Sequence, residues 1–202
     1  MMKPRQTGFT LVELAIVLVV IGLILGMAFK GKDLIDSAKV KNLAAQYNKV
    51  VAASNTFYEK YGFYPGDGCN SPSPTNIAIQ CNGTRNGVID AGNEQAAFWY
   101  LLTNTTNILT AADRRSVFGQ DWNISAPTVG APGVVGNNYL FIGPVATPLS
   151  NASDARFVCA LDRMIDDGIA ASGLVRSGNG YNAASDCWTL QGQTSVLIRI
   201  LP

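Results

Sequence analysis

Gly8-Phe9-Thr10-Leu11-Val12-Glu13 is the junction at which a short leader carrying Lys3 and Arg5 gives way to an apolar stretch. The stretch runs to Phe29 and holds one charge, Glu13. About 20 apolar residues span a hydrocarbon core of ~30 Å, so residues 9–29 are long enough to cross one. An ordinary secretory signal places its apolar region ahead of a small-residue cleavage site and loses both. Here Met1 to Gly8 has no apolar run of its own, and Phe29 is followed by Lys30-Gly31-Lys32-Asp33, which offers no such site. Cleavage would fall before the hydrophobic segment and leave it in the mature chain. Glu13 is the anomaly, because an ionised side chain in a membrane helix is tolerated mainly where it pairs or has a function. Cleavage after Gly8 would create a charged amine on Phe9, four positions before Glu13, and a neighbouring subunit could present that amine to the carboxylate. The blander alternative is a plain signal anchor with a stray glutamate.

Beyond the membrane segment the helix continues. Val40, Leu43, Ala44, Tyr47, Val50, Val51, Ser54, Phe57, Tyr58 and Tyr61 follow three- and four-residue steps, one face of an amphipathic helix. No proline interrupts the chain between Pro4 and Pro65. A single helix from Phe9 to about Tyr61 would be about 80 Å long at 1.5 Å per residue. Gly22, Gly26 and Gly31 are its weak points, since glycine costs about 1 kcal/mol relative to alanine in a helix. Gly22 and Gly26 also have the small-xxx-small spacing that lets helices approach closely. In a filament that approach would be between subunits; as plain membrane-helix composition it needs no partner.

The order of Gly8, Phe9, Thr10, Leu11 and Glu13 resembles the type IV prepilin signal. The resemblance implies that a prepilin peptidase removes residues 1–8 and N-methylates Phe9, and that Glu13 serves assembly. It also implies an α+β fold of lollipop shape. A long helix, residues 9–29 in the membrane or filament core and residues 30–63 amphipathic, packs on an antiparallel sheet in a globular head, residues 64–202. The implied partners are other subunits in a helical filament, the peptidase and methylase, and the inner-membrane assembly platform of a pilus or a type II secretion system. The implied location is the bacterial inner membrane with the head in the periplasm, and after assembly a periplasmic or surface filament. One departure is Lys30, at a position where many pilins and pseudopilins carry proline.

The head begins at Tyr64-Pro65-Gly66-Asp67-Gly68, a turn signal that ends the helix, and the chain to Gly92 reads as loop. Helices are expected over Asn93–Leu102, over Ala111–Val117 after Thr110 as cap, and over Asp154–Asp166. The last would turn Phe157, Val158, Leu161 and Ile165 inward and stop at Gly168. Asn123–Pro148, with Pro127, Pro132, Pro144 and Pro148, suits loops and short strands, of which Tyr139–Ile142 is the best. Cys187–Leu190 and Ser195–Leu201 look like two strands joined by a turn around Gly192, a hairpin closing the sheet.

The cysteines Cys69, Cys81, Cys159 and Cys187 all follow the membrane segment, and an even count on the exported, oxidising side suggests disulfides. Three pairings are open. Cys69–Cys81 with Cys159–Cys187 is the chosen one, because each bridge staples one loop-rich region. The second matches by position the C-terminal disulfide-bounded region of many type IV pilins. A zinc site is a weak competitor, with no histidine and no Cys-x-x-Cys spacing.

Two clusters could hold a cation. Asn82, Thr84, Asn86, Asp90 and Glu94, with Gly87 at the turn, look like a degraded calcium loop. Three of the donors are uncharged and Arg85 intrudes, so the competing reading is an Asn-Gly turn satisfying its own backbone. The second cluster is Asp162, Asp166 and Asp167. Carboxylates at a helix C-terminus oppose the helix dipole, and an ion pair with Arg163 or Arg176 is preferred to a metal as compensation. Asp166-Asp167-Gly168 and Pro65-Gly66-Asp67 also resemble segments of long prepilin-like proteins, without identifying an activity.

Catalysis has little support. The absence of histidine excludes Ser-His-Asp and Cys-His arrangements, and no glycine-rich phosphate loop follows a strand. The formal charge of +1 falls to about −1 once Lys3 and Arg5 leave, so there is no clear nucleic-acid signal. Asn82, Asn104, Asn123 and Asn151 open sequons that imply surface exposure at most. The expectation is a pilin or pseudopilin, not an enzyme. Its alternative is an anchored, exported module that binds a cation, glycan or DNA and does not polymerise.

Overall fold

The computed structural model describes residues 8–90, 92–127, 132–143 and 152–201. Lys3 and Arg5 of the leader, Ala91 in the asparagine-rich loop, Pro144 and Pro148 and the sequon residue Asn151 lie outside the described residues. By its internal contacts the chain divides into residues 1–38 and 39–202.

Helix α1 covers Leu11–Tyr61 without a break, so the three glycines and Lys30 are all helical. In the first unit its apolar side chains are uncovered. Its most apolar stretch is long enough to cross a membrane, and none of it is buried within the chain. In the second unit the same helix changes character. Val40, Leu43, Val50, Ala53 and Phe57 are buried, with Tyr47, Val51 and Tyr61 packed beside them. All but Ala53 belong to the expected three- and four-residue stripe, whose member Tyr58 is exposed. The helix is also pinned by polar contacts. Trp122 Nε1 donates to Gln46 Oε1 at 2.9 Å, Gln46 Nε2 donates to the Arg115 carbonyl at 2.8 Å, and the Tyr47 hydroxyl donates to the Arg199 carbonyl at 3.0 Å.

The main sheet has four antiparallel strands. In chain order they are β1 (Trp122–Ser125), β2 (Asn138–Ile142), β4 (Val175–Ser177) and β6 (Val196–Leu201), and their order in space is β1-β2-β6-β4. Trp122 faces Ile142, and Leu140 and Val175 both face Ile198. Trp122, Ile124, Leu140, Ile142, Val196 and Ile198 enter the main core, while Tyr139, Phe141 and Leu197 form a small cluster of their own. The alternation follows from the two-residue period of a strand. Two-residue strands β3 (Ser153–Asp154) and β5 (Gln193–Thr194) pair separately.

Three expected elements are corrected. Cys187–Leu190 is not a strand; Cys187–Thr189 forms a 3₁₀ turn capped by the Asp186 carboxylate, which accepts from the Trp188 N–H at 3.0 Å. The hairpin around Gly192 is absent because both edges of β6 are already taken, by β2 and β4. Thr194 and Gln193 pair instead with Ser153 and Asp154. The helix expected over Ala111–Val117 stops at Arg114, since Arg115 is extended and bridges to Asp121.

The other helices sit close to their expected places. Helix α3 covers Gly92–Tyr100 and runs into a π turn at Leu101–Thr105. Helix α4 covers Ala155–Ile165, with Asp154 as its cap and Phe157, Val158 and Leu161 buried. Helix α2, Ile77–Gln80, is a single turn in the loop region. Cys69 is bonded to Cys81, and Cys159 to Cys187, so the second bridge ties α4 to the 3₁₀ turn.

Candidate functional site

Thr10 and Glu13 set the start of α1. Both the Thr10 N–H and its hydroxyl donate to Glu13 Oε2 at 2.8 Å, and the Glu13 N–H donates back to the Thr10 hydroxyl at 3.3 Å. This is a capping box, in which a Thr and a Glu three residues on satisfy orphan amides reciprocally. Its signature, Thr-x-x-Glu before an apolar run, is present in the sequence and escaped the reading of Glu13 as a group waiting for an outside amine. The two roles are compatible. Within one chain Thr10 supplies donors to a carboxylate that would otherwise sit unpaired beside apolar side chains, and the carboxylate keeps room for a further donor. Gly8 and Phe9 precede the helix; Phe9 is 84% exposed and nothing lies where a Cβ on Gly8 would sit. Among the described residues, nothing covers the Gly8–Phe9 junction. Among the described residues, nothing outside the helix's own backbone lies within 4 Å of a Cβ built on Gly22, Gly26 or Gly31.

The asparagine-rich loop is organised by two carboxylates and an amide. Asp67, nearly fully buried, accepts from the Asn86 and Gly87 N–H groups at 3.1 and 3.0 Å. Burial pushes its carboxyl above the ordinary value, and those amides pull it back. Glu94 accepts from the Gly68 N–H at 2.9 Å and the Asp90 N–H at 3.3 Å. Asn138, fully buried at the start of β2, accepts from the Ile89 N–H and donates to the Gly87 carbonyl. Of the candidate calcium donors, Asn86 Oδ1 accepts from the Val88 N–H and Asn82 Oδ1 from Asn70, while Thr84 and Asp90 are exposed. The arrangement is that of a loop satisfying its own backbone. Asp67 and Asn138 went unnoticed as organisers, since a lone Asp in a turn and a lone Asn before a strand carry no distinguishing pattern.

Asp162, Asp166 and Asp167 do converge, with ligand-type oxygens within 4.8 Å of one another. The expected ion pair with Arg163 or Arg176 is not formed. Arg163 donates to the Ala183 and Ser185 carbonyls, and Arg176 to those of Gly173 and Pro132. Amides and hydroxyls compensate instead. Asp162 accepts from the Gly168 N–H at 3.1 Å and the Tyr181 hydroxyl at 2.9 Å. Asp166 accepts from the Leu174 N–H, and Asp167 from the Ile169 N–H at 2.9 Å and the Ser172 hydroxyl at 2.6 Å. The chain after α4 folds back over its C-terminal carboxylates and gives them donors, as anion-binding loops do. Hard oxygens of this kind suit calcium, but the hydrogen bonds account for the cluster without a cation.

Comparison with known proteins matches residues 3–29 to the prokaryotic N-terminal methylation motif, the signal of type IV pilin and pseudopilin precursors. No curated protein and no solved structure matches the chain significantly. The capping box of Thr10 and Glu13 lies within the matched residues.

Proposed function

We propose that the chain is a structural subunit of a type IV pilus-like filament or of a type II secretion pseudopilus. Prepilin peptidase cleaves between Gly8 and Phe9, the new amine of Phe9 is methylated, and the subunit waits in the inner membrane with residues 39–202 in the periplasm. The assembly platform then extracts it into a helical filament. One observation carries this reading: a methylation motif at residues 3–29 opens a continuous helix whose apolar first section has no cover from its own chain. A lone membrane anchor needs apolar residues and gains from Glu13 only a helix cap. In a filament the same carboxylate meets the Phe9 amine of a neighbour, exchanging a local cap for a charge pair in a medium of low dielectric.

The test is Glu13→Ala, made in cells that carry the cognate machine. Membrane levels should match the unmodified protein, because removing a charge does not hinder insertion, while the sheared filament fraction should lose most of the subunit. Thr10→Val separates the two roles of Glu13, since it removes the hydroxyl partner and keeps the carboxylate. It should assemble far better than Glu13→Ala. Normal filaments from Glu13→Ala would show that the carboxylate has no part in assembly.

A further inference from the structure

Asparagine is followed by glycine at three places in the chain, residues 82–83, 86–87 and 179–180. The pairing matters chemically. The amide nitrogen after an asparagine can attack that residue's side-chain carbonyl, and a glycine puts no Cβ in the way. The two groups must meet in the right orientation, so the reaction depends on whether the fold leaves them free to do so.

At the first two pairs both groups are held. The Gly83 N–H donates to the Gly68 carbonyl at 2.9 Å, and Asn82 Oδ1 accepts from Asn70 Nδ2 at 3.4 Å. The Gly87 N–H donates to Asp67 Oδ2 at 3.0 Å, and Asn86 Oδ1 accepts from the Val88 N–H at 2.9 Å. At the third pair neither is held. Among the described residues, the Gly180 N–H has no acceptor and the Asn179 side chain has no hydrogen-bond partner. Gly180 is exposed, so water reaches the pair. The backbone on either side is nonetheless anchored. The Asn179 N–H donates to Thr194 Oγ1 at 3.0 Å and to Ser177 Oγ at 3.3 Å. Tyr181 gives its hydroxyl to Asp162 at 2.9 Å, and its carbonyl accepts from the Ala170 N–H at 3.2 Å.

We propose that Asn179-Gly180 is the site at which the folded head modifies itself by succinimide formation, with Asn82 and Asn86 protected by their hydrogen bonds. Gly180 N bonds to Asn179 Cγ and gives its proton to hydroxide or water. The Cγ–Nδ2 bond breaks, and Nδ2 takes a proton from solvent and leaves as ammonia. Water then adds to either carbonyl flanking the new imide nitrogen and opens the ring to aspartate or isoaspartate. Water is consumed and ammonia released, with no change of oxidation state. Isoaspartate adds a methylene to the main chain between the Thr194 and Tyr181 anchors, which strains the Tyr181–Asp162 bond. The site is on the head and is independent of processing at the N-terminus.

The test ages the full-length, disulfide-bonded chain in detergent micelles at mildly alkaline pH, beside a sample unfolded in guanidinium. After reduction, trypsin separates the three pairs into peptides 61–85, 86–114 and 177–199. Fragmentation mass spectrometry then reads the exchange of an amide for a carboxyl at each asparagine and tells isoaspartate from aspartate. In the folded chain Asn179 should react about tenfold or more faster than Asn82 and Asn86, since each of those must first break two hydrogen bonds. In guanidinium the three rates should converge. Gly180→Ala should slow Asn179 alone without disturbing the fold, because φ there is outside the left-handed region and a Cβ meets nothing within 4 Å. A folded chain in which Asn179 is not the fastest of the three would overturn the proposal. So would a rate ratio that is the same in the folded and unfolded samples, or a Gly180→Ala chain whose Asn179 reacts at the original rate. The aged fraction carrying isoaspartate should unfold at lower urea concentration than the fresh protein; an unchanged midpoint would overturn the link to Tyr181.

Discussion

Acidification from roughly pH 7.5 to pH 4.5 should stabilise the head, the reverse of ordinary acid denaturation. The cause is Asp162, which is fully buried. Burial pushes its carboxyl up from 3.8 to about 6; the hydrogen bonds from Tyr181 and Gly168 oppose the shift, and Asp167 and Asp166 nearby add to it. A carboxyl whose folded value exceeds its unfolded value binds its proton more tightly in the folded state. Stability is therefore lowest above about pH 6 and grows as the pH falls toward the unfolded value of 3.8. At about 1.4 kcal/mol per unit, the full effect is about 3 kcal/mol. Asp67, also raised by burial, acts in the same direction. The opposite sign belongs to Asp113, held down to about 2 chiefly by its hydrogen bond from Lys49, and to Asp154, lowered chiefly by Arg156. Their contribution is present above the unfolded value and is lost as the pH falls through their folded values, so stability should peak near pH ~4. The assay is urea unfolding of the full, oxidised chain across this range, followed by the near-ultraviolet circular dichroism of its buried tryptophans. Asp162→Asn should remove most of the rise. A wild-type stability that falls between pH 7.5 and 4.5, or an Asp162→Asn protein that keeps the whole rise, would refute the assignment.

Three substitutions test the packing of the head by the same unfolding assay. Phe57 is fully buried, with its ring 4.5 Å from Tyr61 and 5.5 Å from Phe63 between centroids, so Phe57→Ala should cost about 3–5 kcal/mol. Gly66 and Gly87 both have positive φ, +88° and +77°, but a Cβ on Gly66 would strike the backbone of α3 at Glu94 and Phe98, whereas one on Gly87 meets open space. Gly87→Ala should cost about 1–2 kcal/mol, the left-handed penalty alone, and Gly66→Ala clearly more; equal losses would show that the approach of the Pro65-Gly66-Asp67 turn to α3 is not tight.

The long helix was legible because two independent patterns ran through it without a proline, an apolar stretch and then a three- and four-residue stripe whose members Val40, Leu43, Val50 and Phe57 are core. Tyr139–Ile142 was legible as a run of large apolar residues, and Asp154–Asp166 as a helix from its inward face and the stop at Gly168. Strand β1 was hidden in Trp122-Asn123-Ile124-Ser125. Its alternation suggests a face in water, yet Asn123 is buried, taking a bond from Arg114 and giving one to the Gly143 carbonyl. Strand β4 is three residues long, too short for any period to show. Cys187–Leu190 misled because a tertiary restraint, the bond from Cys187 to Cys159 on α4, accompanies a turn that apolar composition alone reads as strand. The acidic cluster misled for a related reason. Sequence displays arginines as candidate partners, while the backbone amides that satisfy Asp162, Asp166 and Asp167 become visible only once the chain folds back.

The assembly role depends on maturation at the Gly8–Phe9 junction. Intact-mass analysis of the membrane-extracted protein, from cells with active prepilin peptidase, tests that step directly. The expected mass is that of a chain beginning at Phe9 and heavier by one methyl group, with four thiol hydrogens missing until reduction. A mass that retains the residues through Gly8 would contradict it, and the chain would then be an anchored exported module whose Glu13 serves only to cap its own helix.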